Sequence, residues 1–179
     1  MNTCSFLFSG FGGQGILFAG KFLAYKGLIE DKRVSWLPSY GPEMRGGTAN
    51  CSVIVSDEPV GSPIVEKPSV LMVMNLPSLD KYEQAVQKGG MIFVNSTLIE
   101  RKGERTDVQV FYIPATQMAS DAGVPTLANM IMAGKILKEL GEYGEDMVDK
   151  ALKQVVSVKH PEMLDVNKKA LEMGRNYEG

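Results

Sequence analysis

Five glycines fall within the twelve residues SGFGGQGILFAG, Ser9 to Gly20, directly after the apolar run Phe6-Leu7-Phe8. A short apolar run predicts a buried strand over Ser5 to Ser9. The residues after it carry helical periodicity from Gly13 to Leu28, with Ile16, Leu17, Ala19, Gly20, Leu23 and Ala24 on or near one face. Gly27 stands where it would help end that helix. A strand that turns through glycines straight into a helix opens an α/β unit, because the helix must fold back to bury its apolar stripe on the sheet. Gly10, Gly12 and Gly15 also satisfy the spacing G-x-G-x-x-G. In such a loop the first glycine makes the turn, the second lets backbone approach a phosphate and the third lets helix and strand pack closely. The helix N-terminus then aims unpaired N–H groups at an anion.

The rest of the chain continues the alternation. Arg33 to Leu37 predicts a second strand broken by Pro38, and ANCSVIVSD, from Ala49, alternates like a strand with one solvated face. After the Pro/Gly-rich EPVGSPIVEKP come an apolar strand, Val70 to Met74, and a helix starting near Pro77-Ser78 with Leu79, Tyr82, Ala85 and Val86 inward. Gly89-Gly90 stops it. MIFVN and VQVFYIP read as strands separated by ERKGERTD, an exposed turn. The C-terminal third is helical, through PTLANMIMAGKILKELG, GEDMVDKALKQVV and PEMLDVNKKALEMGRNY. Near-continuous apolar strands separated by helices favour a mostly parallel sheet covered on both faces, a three-layer α/β architecture. With 179 residues, 44% of them hydrophobic and 22% charged, residues 1–179 read as a single domain.

Whether the glycine loop holds a dinucleotide turns on the acid that would grip the ribose hydroxyls from the end of the second strand. Glu30 and Asp31 lie 20 and 21 positions after Gly10, which fits by counting. They fall, however, in the turn before the second strand; its far end reads LPSYGPEMRGG. That argues against a bound ribose. Two readings of Gly10, Gly12, Gly13, Gln14 and Gly15 stay open: a phosphate or anion site, and a structural turn at an interface. Gln14 brings amide donors and an acceptor to the helix start, where it would face the C-terminal edge of the sheet, the edge on which open α/β sheets place ligands. The loop SYGPEMRGG is expected at the same edge. Its Tyr40, Glu43 and Arg45 offer a ring, a carboxylate and a guanidinium held by Gly41, Pro42, Gly46 and Gly47. It reads either as a recognition loop for a partner or anionic ligand, or as a solvated loop with an Arg–Glu pair.

Charge and cysteine usage exclude other classes. Nineteen basic against twenty-one acidic residues give a net charge of -2 without a Lys/Arg cluster, so the electrostatic footprint of a nucleic-acid binder is missing. The N-terminus lacks the pattern of a signal peptide and no apolar run is long enough for a membrane span, so a cytoplasmic location is expected. Cys4 and Cys51 stand 47 positions apart with no C-x-x-C pair, so these thiols alone cannot assemble an Fe–S cluster or a zinc site. The one histidine, His160, reads as part of a surface turn entering a helix at Pro161. The Met-rich stretches MNLP and NMIMAG supply either an exposed apolar patch for a partner or ordinary helix packing; the former implies self-association of an isolated chain.

The two long motifs SGFGGQGILFAGKFLA and SYGPEMRGGTANCSVIVSD, in this order, make the chain resemble the gamma subunit of the 2-oxoacid:ferredoxin (acceptor) oxidoreductases, most closely that of the 2-oxoglutarate enzymes. The resemblance extends through PSVLMVMN, GGMIFVNSTLI and PTLANMIMAGKIL, essentially the whole length. It implies a Rossmann-like domain with no redox centre and no cofactor of its own, within a complex that decarboxylates a 2-oxoacid and forms acyl-CoA from coenzyme A. Thiamine diphosphate with magnesium is then expected between alpha and beta subunits, and Fe–S clusters on partner chains, in some forms a ferredoxin-like delta subunit, with ferredoxin or a similar acceptor taking the electrons. The absence of a G-D-G...N stretch for a magnesium diphosphate agrees with that division of labour. By resemblance, Gly10, Gly12, Gly13, Gln14 and Gly15 form one loop at the coenzyme A side, and Tyr40, Gly41, Pro42, Glu43, Arg45, Gly46 and Gly47 the loop beside it. Both contribute subunit contacts, with no residue catalytic. A stand-alone nucleotide-binding protein and a pure assembly scaffold are the alternatives.

Overall fold

The computed structural model describes residues 3–39 and 49–179. Its centre is β1 (Thr3–Gly10), flanked in a six-stranded sheet of order β2-β3-β1-β4-β5-β6 by β2 (Arg33–Ser39), β3 (Ala49–Ser56), β4 (Val70–Val73), β5 (Met91–Asn95) and β6 (Gln109–Ile113). β4, β5 and β6 join β1 in parallel, while β3 lies antiparallel to both β1 and β2. The helices are α1 (Ile16–Ile29), α2 (Leu76–Tyr82), α3 (Ala115–Asp121), α4 (Ala128–Glu139), α5 (Glu145–Val155) and α6 (Glu162–Arg175). The expected mostly parallel α/β sheet is observed, with β3 making it a mixed one.

Strand alternation splits the apolar residues into two cores. Phe6 and Phe8 of β1, Val70 and Met72 of β4 and Phe93 of β5 belong to the larger core, with residues of α1, α3, α4, α5 and α6. Leu7, Leu71, Val73, Ile92 and Val94 point the other way, into a smaller core closed by Leu79 and Val86 from α2 and the turn after it. Asn75 caps α2, its Oδ1 accepting from the Ser78 N–H at 2.9 Å.

Several expectations are corrected here. Pro38 does not break β2: as an edge strand β2 has one side outside the ladder, where a residue without an N–H is tolerated, and it runs on to Ser39. β3 has no solvated face. It sits between two strands, Ser52 and Ser56 are buried, and Ile64 and Val65 line a hollow with Asn50 and Ser52 on that side. Gly27 does not end α1, which continues to Ile29. A Cβ there would lie 2.9 Å from Val34 and 3.0 Å from Val55, so Gly27 lets the helix rest on β2 and β3. Met130 and Met132 are core residues because α4 is enclosed almost all round, and Met74, just after β4, is buried in the same larger core. They supply no apolar patch.

Two glycines bring α4 and α6 close together. A methyl group at Gly134 would run into the Leu171 carbonyl of α6, and one at Gly174 into the Ile131 carbonyl of α4, so the two helices touch backbone to backbone. The segment ERKGERTD is more than an exposed turn, because it wraps a buried carboxylate. Glu83 receives Arg101 Nη2 at 2.9 Å on Oε2, and on Oε1 the Arg105 N–H at 3.3 Å together with the Glu104 N–H. Arg105 also donates to the Val86 carbonyl at 2.8 Å and pairs with Asp107 at 2.7 Å. Two lysines are buried with partners. Lys26 meets Glu30 at 2.6 Å, and Lys135 meets Glu139 at 2.7 Å and the Tyr177 carbonyl at 3.0 Å.

Gly134→Ala or Gly174→Ala is expected to lower stability by about 2–3 kcal/mol through overpacking, read as the shift in urea midpoint at unchanged slope. A second expectation concerns acid. Burial raises the affinity of Glu83 for a proton, but the hydrogen bonds from Glu104, Arg101 and Arg105 outweigh it, so its carboxyl titrates below the usual range. The folded pKa lies below the unfolded one, so the stabilisation is full above the ordinary glutamate value and is lost as pH falls through the folded value. Urea titrations between about pH 6 and pH 3 should show the native chain losing more stability than Glu83→Gln; parallel losses would refute this account.

Candidate functional site

Gly10 pairs with Ala49 at the end of β1, and Ser39 pairs with Asn50 at the end of β2. The two flanks of residues 40–48 thus lie at the same sheet edge as the glycine loop. Tyr40, Gly41, Pro42, Glu43, Arg45, Gly46 and Gly47 themselves lie outside the described residues. At this edge β1 leads to α1 over the larger core and the adjacent β4 leads to α2 over the smaller one. This is the switch point at which open α/β sheets form a crevice. Glu30 and Asp31 are at the opposite end, just before Arg33, which pairs with Ser56 in line with Thr3. Glu30 is committed to Lys26. The placement that argued against a ribose grip is the observed one.

The loop is built on positive φ angles that glycine adopts without strain, +86° at Gly13 and +73° at Gly15. Gly15 is the N-cap of α1; no side chain caps this end and no acid stands in its first turn, so the positive end of the helix dipole is not neutralised locally. Gly10 leaves room for its neighbours: a Cβ there would lie 2.6 Å from Gln14 Oε1 and 2.8 Å from Met74 Cβ.

Gln14 closes the crevice. Its Oε1 accepts from the Phe11 N–H at 2.6 Å, and its Nε2 donates to the Met74 carbonyl at 3.1 Å, bridging the loop after β1 to the end of β4. Deeper in, Ser9 Oγ donates to the Ala49 carbonyl at 3.1 Å, so its contact with Ser78 Oγ at 2.8 Å takes the proton from Ser78. The other support of the loop was not evident from sequence. Asn129, in the first turn of α4, is buried and donates from Nδ2 to the Gly15 carbonyl at 3.0 Å, and a Cβ at Gly15 would collide with that amide. Nothing in the spacing of two residues 114 positions apart signals the pair. Beside the loop lies a hollow of about 290 Å³ with Phe11, Gly12, Gly13, Ile16, Phe18 and Ala49 in its wall.

The thiols are not poised for chemistry. Burial pushes Cys4 up to about 11 and Cys51 up to about 12, only partly opposed by hydrogen bonds from Ser69 and Trp36. Among the described residues no three His, Cys, Asp or Glu side chains come together as a metal site. His160 is exposed in a turn before α6 and meets Glu162 at 3.1 Å. No helix of the described residues is long and apolar enough to cross a membrane. The edge therefore presents backbone, a helix start with no local neutralisation and an apolar wall.

The sequence model of the family described as pyruvate ferredoxin/flavodoxin oxidoreductase matches residues 5–177. The chain is 39% identical over 171 residues to the ketoisovalerate oxidoreductase subunit VorA of Methanothermobacter thermautotrophicus, covering 94% of this chain and 35% of that one. It is 36% identical over 147 residues to the 2-oxoglutarate synthase subunit KorC of Methanocaldococcus jannaschii, covering 80% and 79%. Among solved structures, the gamma subunit of keto/oxoacid ferredoxin oxidoreductase from Geobacter sulfurreducens superposes with a TM-score of 0.80 at 29% identity, over 96% of this chain and 95% of that one. A 2-oxoglutarate:ferredoxin oxidoreductase chain from Magnetococcus marinus, from a structure with 2-oxoglutarate, coenzyme A and succinyl-CoA bound, shares the fold with a TM-score of 0.85 at 22% identity, over 98% of this chain and 31% of that one. The chain thus spans about a third of VorA and most of KorC.

Replacing Gln14 by alanine is expected to speed hydrogen exchange of the Phe11 amide by about tenfold and to lower stability by about 1 kcal/mol, since both bridging hydrogen bonds are lost. An unchanged exchange rate in Gln14→Ala would mean that the side chain does not hold the turn.

Proposed function

The chain belongs to the pyruvate ferredoxin/flavodoxin oxidoreductase family, and from this premise we propose that it serves as the gamma subunit of a complex that oxidatively decarboxylates a 2-oxoacid, 2-oxoglutarate first among them, to acyl-CoA and carbon dioxide. The observation that carries the reading is the extent of the family match: residues 5–177 include the glycine loop, the segment 40–48 and the helical third. KorC and VorA are named for two different 2-oxoacids, which supports the substrate class before any one member of it.

In this reading the alpha and beta subunits hold thiamine diphosphate with magnesium, partner chains hold the Fe–S clusters, and the complex acts in the cytoplasm. Thiamine diphosphate supplies the carbanion chemistry of decarboxylation. This chain supplies surface. The α1 N-terminus and the backbone of Gly10, Gly12, Gly13 and Gly15 suit a phosphate of coenzyme A, the co-substrate of the complex. Gln14, with its side chain bridging the crevice, keeps a buried nucleotide out of the switch point, which favours a surface contact over the stand-alone nucleotide-binding alternative. Tyr40, Gly41, Pro42, Glu43, Arg45, Gly46 and Gly47 form the neighbouring contact loop, with Arg45 pairing either a coenzyme A phosphate or a carboxylate of the next subunit.

Co-expression of the partner subunits with and without this chain tests the assignment: acyl-CoA formation from 2-oxoglutarate is expected to fall at least about tenfold without it. Full activity in its absence rejects the subunit role. Equal kcat/KM for 2-oxoglutarate and 2-oxoisovalerate rejects the narrower substrate while leaving the class intact.

A further inference from the structure

β2 lies at the edge of the sheet, and hydrogen-bond parity fixes which of its backbone groups are unpaired. The Ser5 and Ser9 carbonyls accept from Ser69 and Met74, so the odd residues of β1 face β4 and the even ones face β3. Phe6 and Phe8 therefore bond Val53 and Cys51, which turns Ser56, Ile54, Ser52 and Asn50 of β3 toward β2. Opposite them stand Arg33, Ser35, Leu37 and Ser39, leaving Val34, Trp36 and Pro38 with their backbone groups directed away from the sheet. Pro38 agrees with this parity, having no N–H to place in the ladder. Along the rim Trp36 is 37% exposed and Leu37 41%, and Ile64, which shares a hollow with Leu37, is 65% exposed. No charge stands between Arg33 and Pro38. Such an apolar edge is a template for another strand.

Charge decides which strand. Arg33 is exposed at the start of β2, and Glu66 is exposed in the wall of the hollow at its other end, beside Leu37 and Ser39. Among the described residues neither belongs to an ion pair. Arg33, Leu37 and Ser39 share one face of the strand, the face on which that hollow lies. A second copy related by a twofold axis normal to the sheet keeps this face and runs its β2 antiparallel, which carries its Arg33 to Ser39 and Glu66 of the first. We propose that two copies of this chain join through their β2 edges into one continuous sheet, with Trp36 opposite Trp36 on the axis and each Arg33 paired with the Glu66 of the other copy. In that register the Trp36 N–H and carbonyl bond their symmetry mates, and each Val34 N–H donates to the opposite Pro38 carbonyl. Every outward N–H of the strand is then used, and the contact is isologous, the same patch serving both copies. One seven-residue strand from each copy gives an interface toward the small end of the specific range, so the dimer is reversible, with a dissociation constant of about 10 µM. The proposal does not depend on the oxidoreductase reading and can be tested on the full chain by itself.

Sedimentation velocity of the full chain between about 1 µM and about 500 µM is expected to show a monomer passing reversibly into a dimer. Hydrogen exchange followed by NMR locates the contact. The Val34 and Trp36 amides are expected to slow about fourfold between about 20 µM and about 500 µM chain, while those of Ser35 and Leu37, already bonded to β3, change little. Arg33→Glu or Glu66→Arg alone is expected to weaken the dimer at least about tenfold, because like charges then face each other twice across the axis, and the two substitutions together are expected to restore it. A chain that stays monomeric to about 500 µM overturns the proposal, and the edge would then belong to a strand of another protein. So does a dimer that leaves exchange at Val34 and Trp36 unchanged, which places the contact elsewhere, or one that the double variant fails to recover. Should a charge variant fail to fold, the exchange pattern of the native chain decides the matter.

Discussion

β1 is buried on both of its faces, and the other layers are arranged around that constraint. A strand with Phe6 and Phe8 on one side and Leu7 on the other cannot lie at an edge or against water without exposing an aromatic pair or an aliphatic row. It therefore takes the centre, with β3 on one flank and β4 on the other. Once it does, the loop at its C-terminal end must emerge where the connections diverge, α1 toward one core and α2 toward the other. The glycine loop stands at the switch point because β1 is central.

The same constraint explains why α4 is so apolar and so tightly held. The larger core is roofed by α1, α4, α5 and α6, and α4 is enclosed between the sheet side and α6. Gly134 and Gly174 allow the carbonyls of the facing helix to approach within backbone contact, and the methionines of α4 adapt to the irregular space that remains. Lys135, buried on this helix, is tolerated because Glu139 and the Tyr177 carbonyl meet its ammonium. Packing of this closeness also places Asn129 against Gly15, so the helical third supports the glycine loop.

A loop with the spacing of a dinucleotide fingerprint is here adapted to another end. The positive φ angles and the uncapped helix start persist, while Gln14 spans the crevice and the acid for a ribose is absent from the described end of β2. Geometry suited to phosphate is kept at the surface, and depth suited to a nucleotide is lost.

The sequence alone determined the alternation of strands and helices, the position of the glycine turn and the misplacement of Glu30 and Asp31. Each of these rests on neighbours within a few residues, where periodicity, turn chemistry and counting suffice. Only the tertiary structure decided that Pro38 sits in an edge strand, that the Ser52 side of β3 is covered, that Gly27 serves close packing and that the methionines are interior. It also supplied Gln14 bridging to Met74, Asn129 on Gly15 and Glu83 gathering the loop from Arg101 to Arg105. The reason is physical: each of those outcomes depends on a partner 7 to 114 residues away, and a hydrogen bond or a close contact exists only once folding has brought the two groups together.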